Sequence, residues 1–295
     1  MSSIRKATVN LVNRAFPSVF WRKYGRLARK AGINHLYIIL SYDCDTQEDI
    51  PASAELFEWL RARDIPATFA VPGPQLKQGK DVYRRLQDLG ARFINHGGAP
   101  HTKLMGGRYE STTFYDRMRP HEVKADIREG HQIFSDVLGH EPSGFRAPHF
   151  GHFQKPHQLG LIYDTLRMLD SYRYSTTTAP ASAWRSGPIY AKGQLWEIPV
   201  LGSYYWPLRI FDSWGHRESK ITRQARDTYA RELTTTVDRL TTKRFPALLN
   251  YYADPSHINK NKAYFTALEY ARDRGAIFID YETIIALAES QRTED

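Results

Sequence analysis

The chain has 295 residues, of which 41% are hydrophobic and 25% charged, with 19 glycines and 16 prolines. This composition is that of a globular protein and excludes the collagen-like, low-complexity and disordered classes. No apolar run approaches the roughly 20 residues that span a bilayer. The single cysteine, Cys44, excludes an internal disulfide and a thiolate zinc site, so any metal must be held by His, Asp or Glu.

The formal net charge of +9 is concentrated at the N-terminus. Residues 1–30 contain eight basic residues and no acid, which leaves 33 bases against 32 acids in the rest of the chain. A nucleic-acid-binding face spread over the protein is therefore not expected, and we predict no nucleic-acid partner. If the basic segment alone bound nucleic acid, binding would depend steeply on salt and vanish on deletion of residues 1–30.

Residues 1–33 are predicted to form a basic amphipathic N-terminal segment, because apolar residues recur there at helical spacing between the charges. Asn10, Asn13 and Arg14 interrupt the apolar residues, so a secretory signal is not expected. Three interpretations remain: a helix packed on the domain, a helix on an anionic membrane surface, or a mitochondrial targeting peptide. We expect a cytoplasmic protein with peripheral contact to the inner face of the membrane through residues 1–30.

Residues 34–295 are predicted to form one domain of alternating strands and helices. Predicted strands are His35–Ser41, Ala67–Val71, Arg92–Asn95, Ser143–Arg146, Gln194–Val200, Ala247–Tyr252 and Ala276–Asp280. Helical patterns lie near 53–63, 79–89, 120–138, 155–168, 219–243, 260–274 and 282–291. This alternation over about 250 residues indicates an α/β protein with a parallel sheet or barrel. In such folds, functional sites gather at the carboxyl ends of the strands.

The first polar cluster, residues 41–45, follows the apolar run that ends at Leu40. Asp43 and Asp45, two residues apart at a strand end, can point the same way. One carboxylate could bind a metal while the other acts as a general base. The alternative is an Asp-rich turn or helix cap.

The second cluster, residues 95–102, lies at the end of the predicted strand Arg92–Asn95 and continues beyond it. Its glycine pair and Pro100 exclude a helix, so a loop could fold His96 and His101 onto one centre. Two imidazoles and one carboxylate with open positions form the ligand set of catalytic zinc or a similar divalent ion.

The third cluster, residues 144–152, again follows a predicted strand. Arg146 could hold a neighbouring carboxylate ionised and oriented. The proline-containing loop behind it could present a backbone N–H to a developing oxyanion. His149 and His152 could be further metal ligands or surface residues.

The order Asp-x-Asp, then a His-containing loop, then Arg-x-Pro, each after a strand, resembles the polysaccharide deacetylase family (NodB homology, carbohydrate esterase family 4). The resemblance covers roughly residues 35–285. It implies a distorted (β/α) barrel that removes N- or O-acyl groups from sugars with a zinc-like ion. Some relatives act instead on small amides or on formylated, lipid-linked sugars.

The resemblance also implies roles for individual residues. Asp43 would be the catalytic base, and Arg146 would orient it. The metal ligands would be Asp45, His96 and His101, although four residues separate the two histidines where three are commonest. The backbone N–H of His149, where the family usually has Tyr, would serve the oxyanion, and Glu197 would be structural.

Two motifs depart from the family pattern. Ser175 stands where an Asp usually pairs with the Arg, so Arg146 is expected to find another partner, Asp170 or Asp164. The position of the general acid His falls on Asn250 or Asp254, depending on alignment. His257 follows shortly after and is favoured as the acid because an imidazole titrates near neutral pH, with Asp254 as the alternative.

The function implied is metal-dependent removal of an acetyl or formyl group from a sugar in polysaccharide or surface-glycan metabolism. The metal would be zinc, with cobalt, nickel or iron as alternatives, and the substrate an acylated sugar or glycan, with a lipid-linked form as one option. Two alternatives remain: an amidohydrolase acting on a small non-sugar amide, and a catalytically impaired barrel that binds glycans or serves as a scaffold. An aromatic stretch is a candidate sugar-stacking wall or part of the core: Tyr204, Tyr205, Trp206, Phe211 and Trp214.

Overall fold

A computed structural model of the chain describes residues 16–150, 156–214 and 228–292. Three sequence predictions fall partly outside these ranges. They are the first half of the N-terminal segment (residues 1–15), His152, and the start of the helix predicted over 219–243.

The main sheet of the described residues contains nine strands in the order β10-β1-β2-β3-β6-β7-β9-β8, with β11 also paired to β1. Its strands are β1 (Leu36–Asp43), β2 (Thr68–Val71), β3 (Arg92–Asn95), β6 (Gly144–Phe145), β7 (Tyr174–Ser175), β8 (Tyr190–Lys192), β9 (Leu195–Glu197), β10 (Ala247–Ala253) and β11 (Ile277–Phe278). All neighbours are parallel except β8 and β9. A separate antiparallel hairpin consists of β4 (Thr102–Met105) and β5 (Arg108–Ser111).

The sheet curls until the chain after β9 reaches β10. Leu201 N donates to Asn250 O over 3.1 Å, and Asn250 Nδ2 donates to Ile198 O over 2.9 Å. In a regular barrel, a complete strand pair would close the sheet at this point. Here, side-chain and loop contacts close it instead. The predicted distorted (β/α) barrel is confirmed.

Helices connect the strands and cover the outside of the sheet. They are α1 (Pro17–Lys30), α2 (Asp49–Arg61), α3 (Gly73–Gln78), α4 (Lys80–Asp88), α5 (Pro120–Leu138), α6 (Pro156–Arg167), α7 (Pro180–Ser186), α8 (Thr228–Thr242), α9 (Pro255–Ile258), α10 (Lys262–Asp273) and α11 (Tyr281–Arg292). Several begin at proline, whose fixed φ suits the first helical turn and whose missing N–H costs nothing there.

Helix α1 packs on the outer surface next to β10. Trp21 and Tyr24 are buried on its inner face. Tyr24 Oη donates to Leu248 O over 2.7 Å, and Trp21 Nε1 donates to Tyr204 O over 3.0 Å. These two bonds tie the inner face of the helix to β10 and to the loop after β9.

The sequence predicted the long strands and helices but missed the hairpin β4–β5, the strands β7 and β8, and the short helices α3, α7 and α9. The hairpin β4–β5 lies in a region that we did not interpret, and β7 and β8 span only two and three residues. Such short pairs carry too few residues for an alternation pattern to be visible. Among the described residues, no helix has the length and apolar character needed to cross a membrane.

Candidate active site

The polar clusters meet at the carboxyl end of the sheet. Asp43 is the last residue of β1, His96 directly follows β3, and Arg146 directly follows β6. Because β1, β2, β3 and β6 are parallel neighbours, their ends lie at one edge of the barrel. The predicted site residues of the first three motifs are therefore brought together.

Asp45, His96 and His101 form a candidate metal centre. Each offers one ligand atom, and these atoms lie within 4.8 Å of one another. Asp45 Oδ1 lies 3.6 Å from His96 Nε2 and 3.1 Å from His101 Nδ1. Among the described residues, Asp45 Oδ1 and both ring nitrogens of His101 are buried without a hydrogen-bond partner. Such atoms are rare unless something else binds them, and this donor set suits a divalent ion.

The protonation of His96 and Asp45 also suits a metal, whereas the charge of Asp45 overcomes the opposing effect of burial and raises the pKa of His101. His96 Nδ1 donates to Arg146 O over 2.7 Å, so Nε2 is the atom directed at the carboxylates. Burial, reinforced by the charge of His101, lowers the pKa of His96 well below its usual value. Although burial opposes its ionisation, the charges of His101 and His96 hold the pKa of Asp45 below its usual value. A neutral imidazole and an ionised carboxylate are the forms that coordinate metals.

A buried carboxylate on α5 holds the loop that carries the two histidines. Asp126 Oδ1 accepts from Ala99 N over 2.7 Å and from Gly98 N over 3.2 Å. Its Oδ2 accepts from Tyr115 Oη over 2.5 Å. We did not single out Asp126 from the sequence. The available signal was an acidic residue within the inward-facing apolar stripe of α5.

Close backbone approach in this loop explains two glycines. Gly97 has φ +90°, and a Cβ there would lie 2.5 Å from Asp126 Oδ2. A Cβ on Gly130 of α5 would lie 2.4 Å from Asn95 Oδ1 and 2.5 Å from the Gly97 carbonyl carbon. Asn95 Oδ1 in turn accepts from Gly97 N over 2.8 Å. Glycine at both positions lets α5 press against the loop.

Asp43 and Arg146 form a buried ion pair next to the metal cluster. Arg146 Nη1 donates to Asp43 Oδ1 over 2.5 Å, and Asp43 Oδ2 lies 3.7 Å from His96 Nε2. Burial raises the pKa of Asp43 to about 7, against the opposing effect of the Arg146 charge. The carboxylate therefore lies at the metal cluster with a proton affinity suited to a base near neutral pH.

The remaining partners of Arg146 differ from those predicted. Its Nη2 donates to Ser41 Oγ over 2.7 Å and to Tyr281 Oη over 2.8 Å. Asp164 instead pairs with Arg167 on the exposed side of α6, and Asp170 lies in a turn with φ +55°. The prediction that Asp164 or Asp170 replaces the missing carboxylate is wrong, because Asp164 lies on the exposed side of α6 and Asp170 in the turn that follows it, while Arg146 bonds to Ser41 and Tyr281.

The second candidate acid–base group follows β10. His257 Nδ1 lies 2.9 Å from Asp254 Oδ2 and 3.2 Å from Ser213 Oγ. Asp254 acts on Asp43 through its charge, which raises the pKa of Asp43 further. Asn250 is turned elsewhere, because its Nδ2 donates to Thr176 Oγ1 over 2.9 Å. Of the two positions, Asp254 is the one whose charge acts on Asp43.

His149 also lies beside the metal cluster. It adopts φ +55°, which is uncommon for a residue with a side chain. Its ring stacks on Phe114 at 4.3 Å and lies 6.3 Å from the His101 ring. Glu197, by contrast, is enclosed in the core, where its carboxylate accepts from Thr177 N over 3.0 Å and Thr178 N over 2.8 Å.

The predicted aromatic wall is divided between different surroundings. Phe211 is buried in the core and stacks on Tyr229 at 4.2 Å. Tyr204 is also buried and stacks on Trp21 of α1 at 6.1 Å. Of the stretch, only Trp214 approaches the described acid–base pair, with its ring 5.9 Å from that of His257. Tyr205 and Trp206 are exposed, so the stretch is divided between the core and the surface, and sugar stacking stays a prediction for its exposed members.

Comparisons with known proteins agree with this arrangement. Residues 36–159 match the family model "Polysaccharide deacetylase". The search of curated proteins found no match. Among solved structures, a putative polysaccharide deacetylase from Mycobacterium smegmatis is 16% identical, with a TM-score of 0.60 over 88% of this chain and 91% of that chain. A probable polysaccharide deacetylase from Pseudomonas aeruginosa PAO1 is 14% identical, with a TM-score of 0.62 over 90% and 93%.

The fold is shared with proteins of other activities. A Puue allantoinase is 14% identical, with a TM-score of 0.63 over 87% of this chain and 90% of that chain. A carbohydrate esterase family 4 pseudoenzyme from Bacillus anthracis is 12% identical, with a TM-score of 0.52 over 85% and 66%. The structural likenesses show the fold, and the family model matches residues 36–159. That segment, which holds Asp43, Asp45 and both histidines of the candidate metal centre, is similar to the polysaccharide deacetylase family.

Proposed function

We propose that the protein is a metal-dependent hydrolase that removes an N-acyl group, acetyl or formyl, from a sugar of a polysaccharide or surface glycan. The observation that carries the proposal is the buried cluster of Asp45, His96 and His101 beside the Asp43–Arg146 pair. A divalent ion bound there would polarise the acyl carbonyl and lower the pKa of an attacking water.

The chain's own residues have distinct roles in this proposal. Asp43 accepts the proton of the water, and Arg146 orients Asp43 and favours its ionised form. The backbone N–H of His149 is assigned to the developing oxyanion, because the left-handed turn places this residue next to the cluster. These three groups surround the metal cluster on the sides formed by β1 and β6.

Proton delivery to the departing amine is assigned to the pair after β10. Asp254 binds Nδ1 of His257, which fixes the ring and favours the proton on the imidazole. We assign the general acid to His257 and an orienting role to Asp254. The alternative, in which Asp254 itself carries the proton, is distinguished by mutation below.

Zinc is the metal we propose, since a carboxylate with two imidazoles is a common catalytic zinc donor set. Cobalt, nickel and iron accept the same ligands, so availability decides among them. The allantoinase fold likeness favours a second candidate, hydrolysis of a small non-sugar amide. The neutral Ser175 where the family has an acid favours a third, a catalytically impaired glycan-binding barrel.

Metal content separates these candidates first. Purified wild type should contain about one divalent ion per chain by elemental mass spectrometry, and Asp45→Ala should contain almost none. Asp136→Ala, on the exposed face of α5, is the matched control and should retain the metal. Metal-loaded enzyme is then assayed on acetylated and formylated sugars, with and without a lipid carrier, and on small amides. A folded wild type that binds no zinc or cobalt would contradict the hydrolase proposal.

We further propose that α1 contacts an anionic membrane from the cytoplasmic side. With its inner face packed on the domain, the helix exposes Val19, Arg22, Arg26 and Arg29 at intervals of three or four residues, and Lys30 beside them. None of these cations forms an ion pair within the described part of the chain. An anionic surface contributes about 1 kcal/mol per Lys or Arg that approaches it. Such contact would bring the site to a lipid-linked sugar.

Vesicle sedimentation tests this contact with the full chain. The wild type should bind vesicles of phosphatidylcholine with about 30% phosphatidylglycerol and release them at high salt. The triple variant R22E/R26E/R29E should lose binding. The matched control K77E/K80E/R128E makes the same charge change at exposed residues elsewhere and should keep most of it. Equal loss in both variants, or binding to DNA in preference to vesicles, would contradict a membrane-facing helix.

A further inference from the structure

Arg146 is a fully buried cation, and its partners in the structure are unusual for that burial. Its exposure is 0%, and Asp43 is the only carboxylate with which it forms an ion pair within the described residues. Its other guanidinium bonds go to the hydroxyls of Ser41 and Tyr281. Nε has no partner. A buried guanidinium is stable only if its donors are satisfied in fixed directions.

Ser175 does not compensate for the missing carboxylate. Its hydroxyl donates to Thr177 Oγ1 over 2.9 Å, and Thr177 Oγ1 accepts from Ala147 N over 3.1 Å. The hydroxyl of Ser175 is therefore used to brace the loop after β6. The guanidinium is held from a different direction, by the start of α11.

The hydroxyl of Tyr281 is itself fixed. It donates its only proton to Asn250 Oδ1 over 2.8 Å, which leaves its lone pairs to accept from Arg146. Asn250 cannot turn away, because its Nδ2 donates to Thr176 Oγ1 over 2.9 Å and to Ile198 O over 2.9 Å. The Tyr281 ring is stacked on Tyr174 at 5.0 Å.

These contacts form one chain from β10 and α11 to the candidate base. Asn250 directs Tyr281, Tyr281 directs Arg146, and Arg146 holds Asp43. Since Tyr281 and Asn250 are neutral, the charge of Arg146 is shared with no second carboxylate. An Asp in place of Ser175 would instead give the Arg146 guanidinium a second carboxylate partner.

We propose that Tyr281, held by Asn250, is a positioning residue that aims Arg146 at Asp43 in place of the carboxylate absent at Ser175. This role rests on the proposed function, in which Asp43 is the base. It assigns to α11, which lies outside the family match over residues 36–159, a part in building the site.

The kinetic test compares two single-hydroxyl deletions. Tyr281→Phe should lower kcat about 10- to 100-fold, since small misplacements of catalytic groups have effects of this size. KM should change less than about twofold and the metal content should not change, because the Tyr281 side chain is buried and its hydroxyl bonds to Arg146 and Asn250 rather than to the candidate metal ligands. Tyr174→Phe removes the hydroxyl of the stacked neighbour and should keep wild-type kcat. In Tyr281→Phe/Ser175→Asp, a carboxylate beside Arg146 should restore most of the lost kcat.

A spectroscopic test is independent of activity. In ¹⁵N-arginine-labelled wild type and Tyr174→Phe, the buried Arg146 guanidinium should give resolved, slowly exchanging signals. These signals should broaden or exchange rapidly in Tyr281→Phe and return in the double variant. Unchanged signals and unchanged kcat in Tyr281→Phe would overturn the positioning role. If the wild type hydrolyses no substrate but the signals respond as described, the proposed function fails while the positioning role stands.

Discussion

The two sides of the site obey the family pattern to different degrees. On the β1–β3 side, Asp43, Asp45 and His96 stand at the family positions and converge within a few ångströms. On the β6–β10 side, Ser175 stands where the resemblance predicts an Asp, and the predicted His position falls on Asn250 or Asp254. Even so, Arg146 of the second side is oriented so that it donates a hydrogen bond to Asp43 of the first side.

The difference follows from what each side must do. Metal ligands must supply particular atoms at particular distances, and few side chains can replace a carboxylate or imidazole there. An orienting network only has to satisfy the donors of one guanidinium, and hydroxyls or an amide do this as well as a carboxylate. We therefore expect substitutions on the first side to lower activity strongly. On the second side, we expect the orienting network to accept substitutions with smaller losses of activity.

Removing the candidate base should have the largest effect. Asp43→Asn keeps the shape of the side chain but cannot accept the proton, and kcat should fall about 10³-fold, within the range for a general base. Metal content should stay near wild type, which separates this variant from Asp45→Ala. An Asp43→Asn enzyme with more than about a tenth of wild-type kcat would mean that another group is the base.

The first side could be predicted from the sequence because each of its residues lies next to a long strand with a clear pattern. β1 begins with the apolar run Leu36–Leu40, so Asp43 and Asp45 were placed at the end of this strand. His96 directly follows β3 and His101 lies in the same glycine-containing loop. Local spacing indicated these candidate residues, and the resemblance to the deacetylase family combined them into one predicted metal site.

The second side depended on contacts between residues far apart in the chain. Tyr281 lies 135 residues from Arg146, and nothing in its neighbourhood distinguishes it from a tyrosine at the start of an ordinary helix. Asp126 likewise braces the histidine loop from 27 residues away. A search for carboxylates near in sequence pointed to Asp164 and Asp170, because local spacing contains no information about which buried hydroxyl the closed barrel brings to a guanidinium.

The acid–base pair after β10 should show an intermediate effect. His257→Gln should lower kcat about 10²-fold, and Asp254→Asn should lower it less, since the ring remains but loses its orienting carboxylate. Steady-state kinetics on substrates with good and poor leaving groups measures this, because a general acid matters most for the poor one. If Asp254→Asn proves the more damaging change, Asp254 itself carries the proton.

Gly130 tests how closely the first side depends on the support of α5. Gly130→Ala would place a methyl 2.4 Å from Asn95 Oδ1 and 2.5 Å from the Gly97 carbonyl carbon. Neither α5 nor the loop can move freely, so we expect a loss of about 3 kcal/mol in the free energy of unfolding, together with weaker metal binding. Gly160→Ala in α6 is the control, because no atom lies within 4 Å of its added Cβ. Urea denaturation should show it unchanged or slightly more stable.

Asp49 joins the two sides and should give the smallest effect, a change in the pH dependence of stability. Its carboxylate accepts from Thr46 N over 2.9 Å on the first side and from Ser256 N over 2.9 Å on the second. Burial, with the added repulsion of Asp254, raises the pKa of Asp49 to about 6 from an ordinary value of 3.8. The folded protein thus holds this proton more tightly than the unfolded chain.

The sign of the pH effect follows from that difference. The stability contributed by protonated Asp49 is complete below pH 3.8 and is lost as the pH rises through about 6. The loss is at most about 3 kcal/mol, since each pKa unit corresponds to about 1.4 kcal/mol. Asp49→Asn cannot titrate, so its urea-derived stability should fall less than that of the wild type between about pH 4 and pH 7. Asp254→Asn, which removes the repulsion but keeps Asp49, should give an intermediate slope, whereas parallel pH profiles for all three proteins would mean that the two sides are not coupled through this carboxylate.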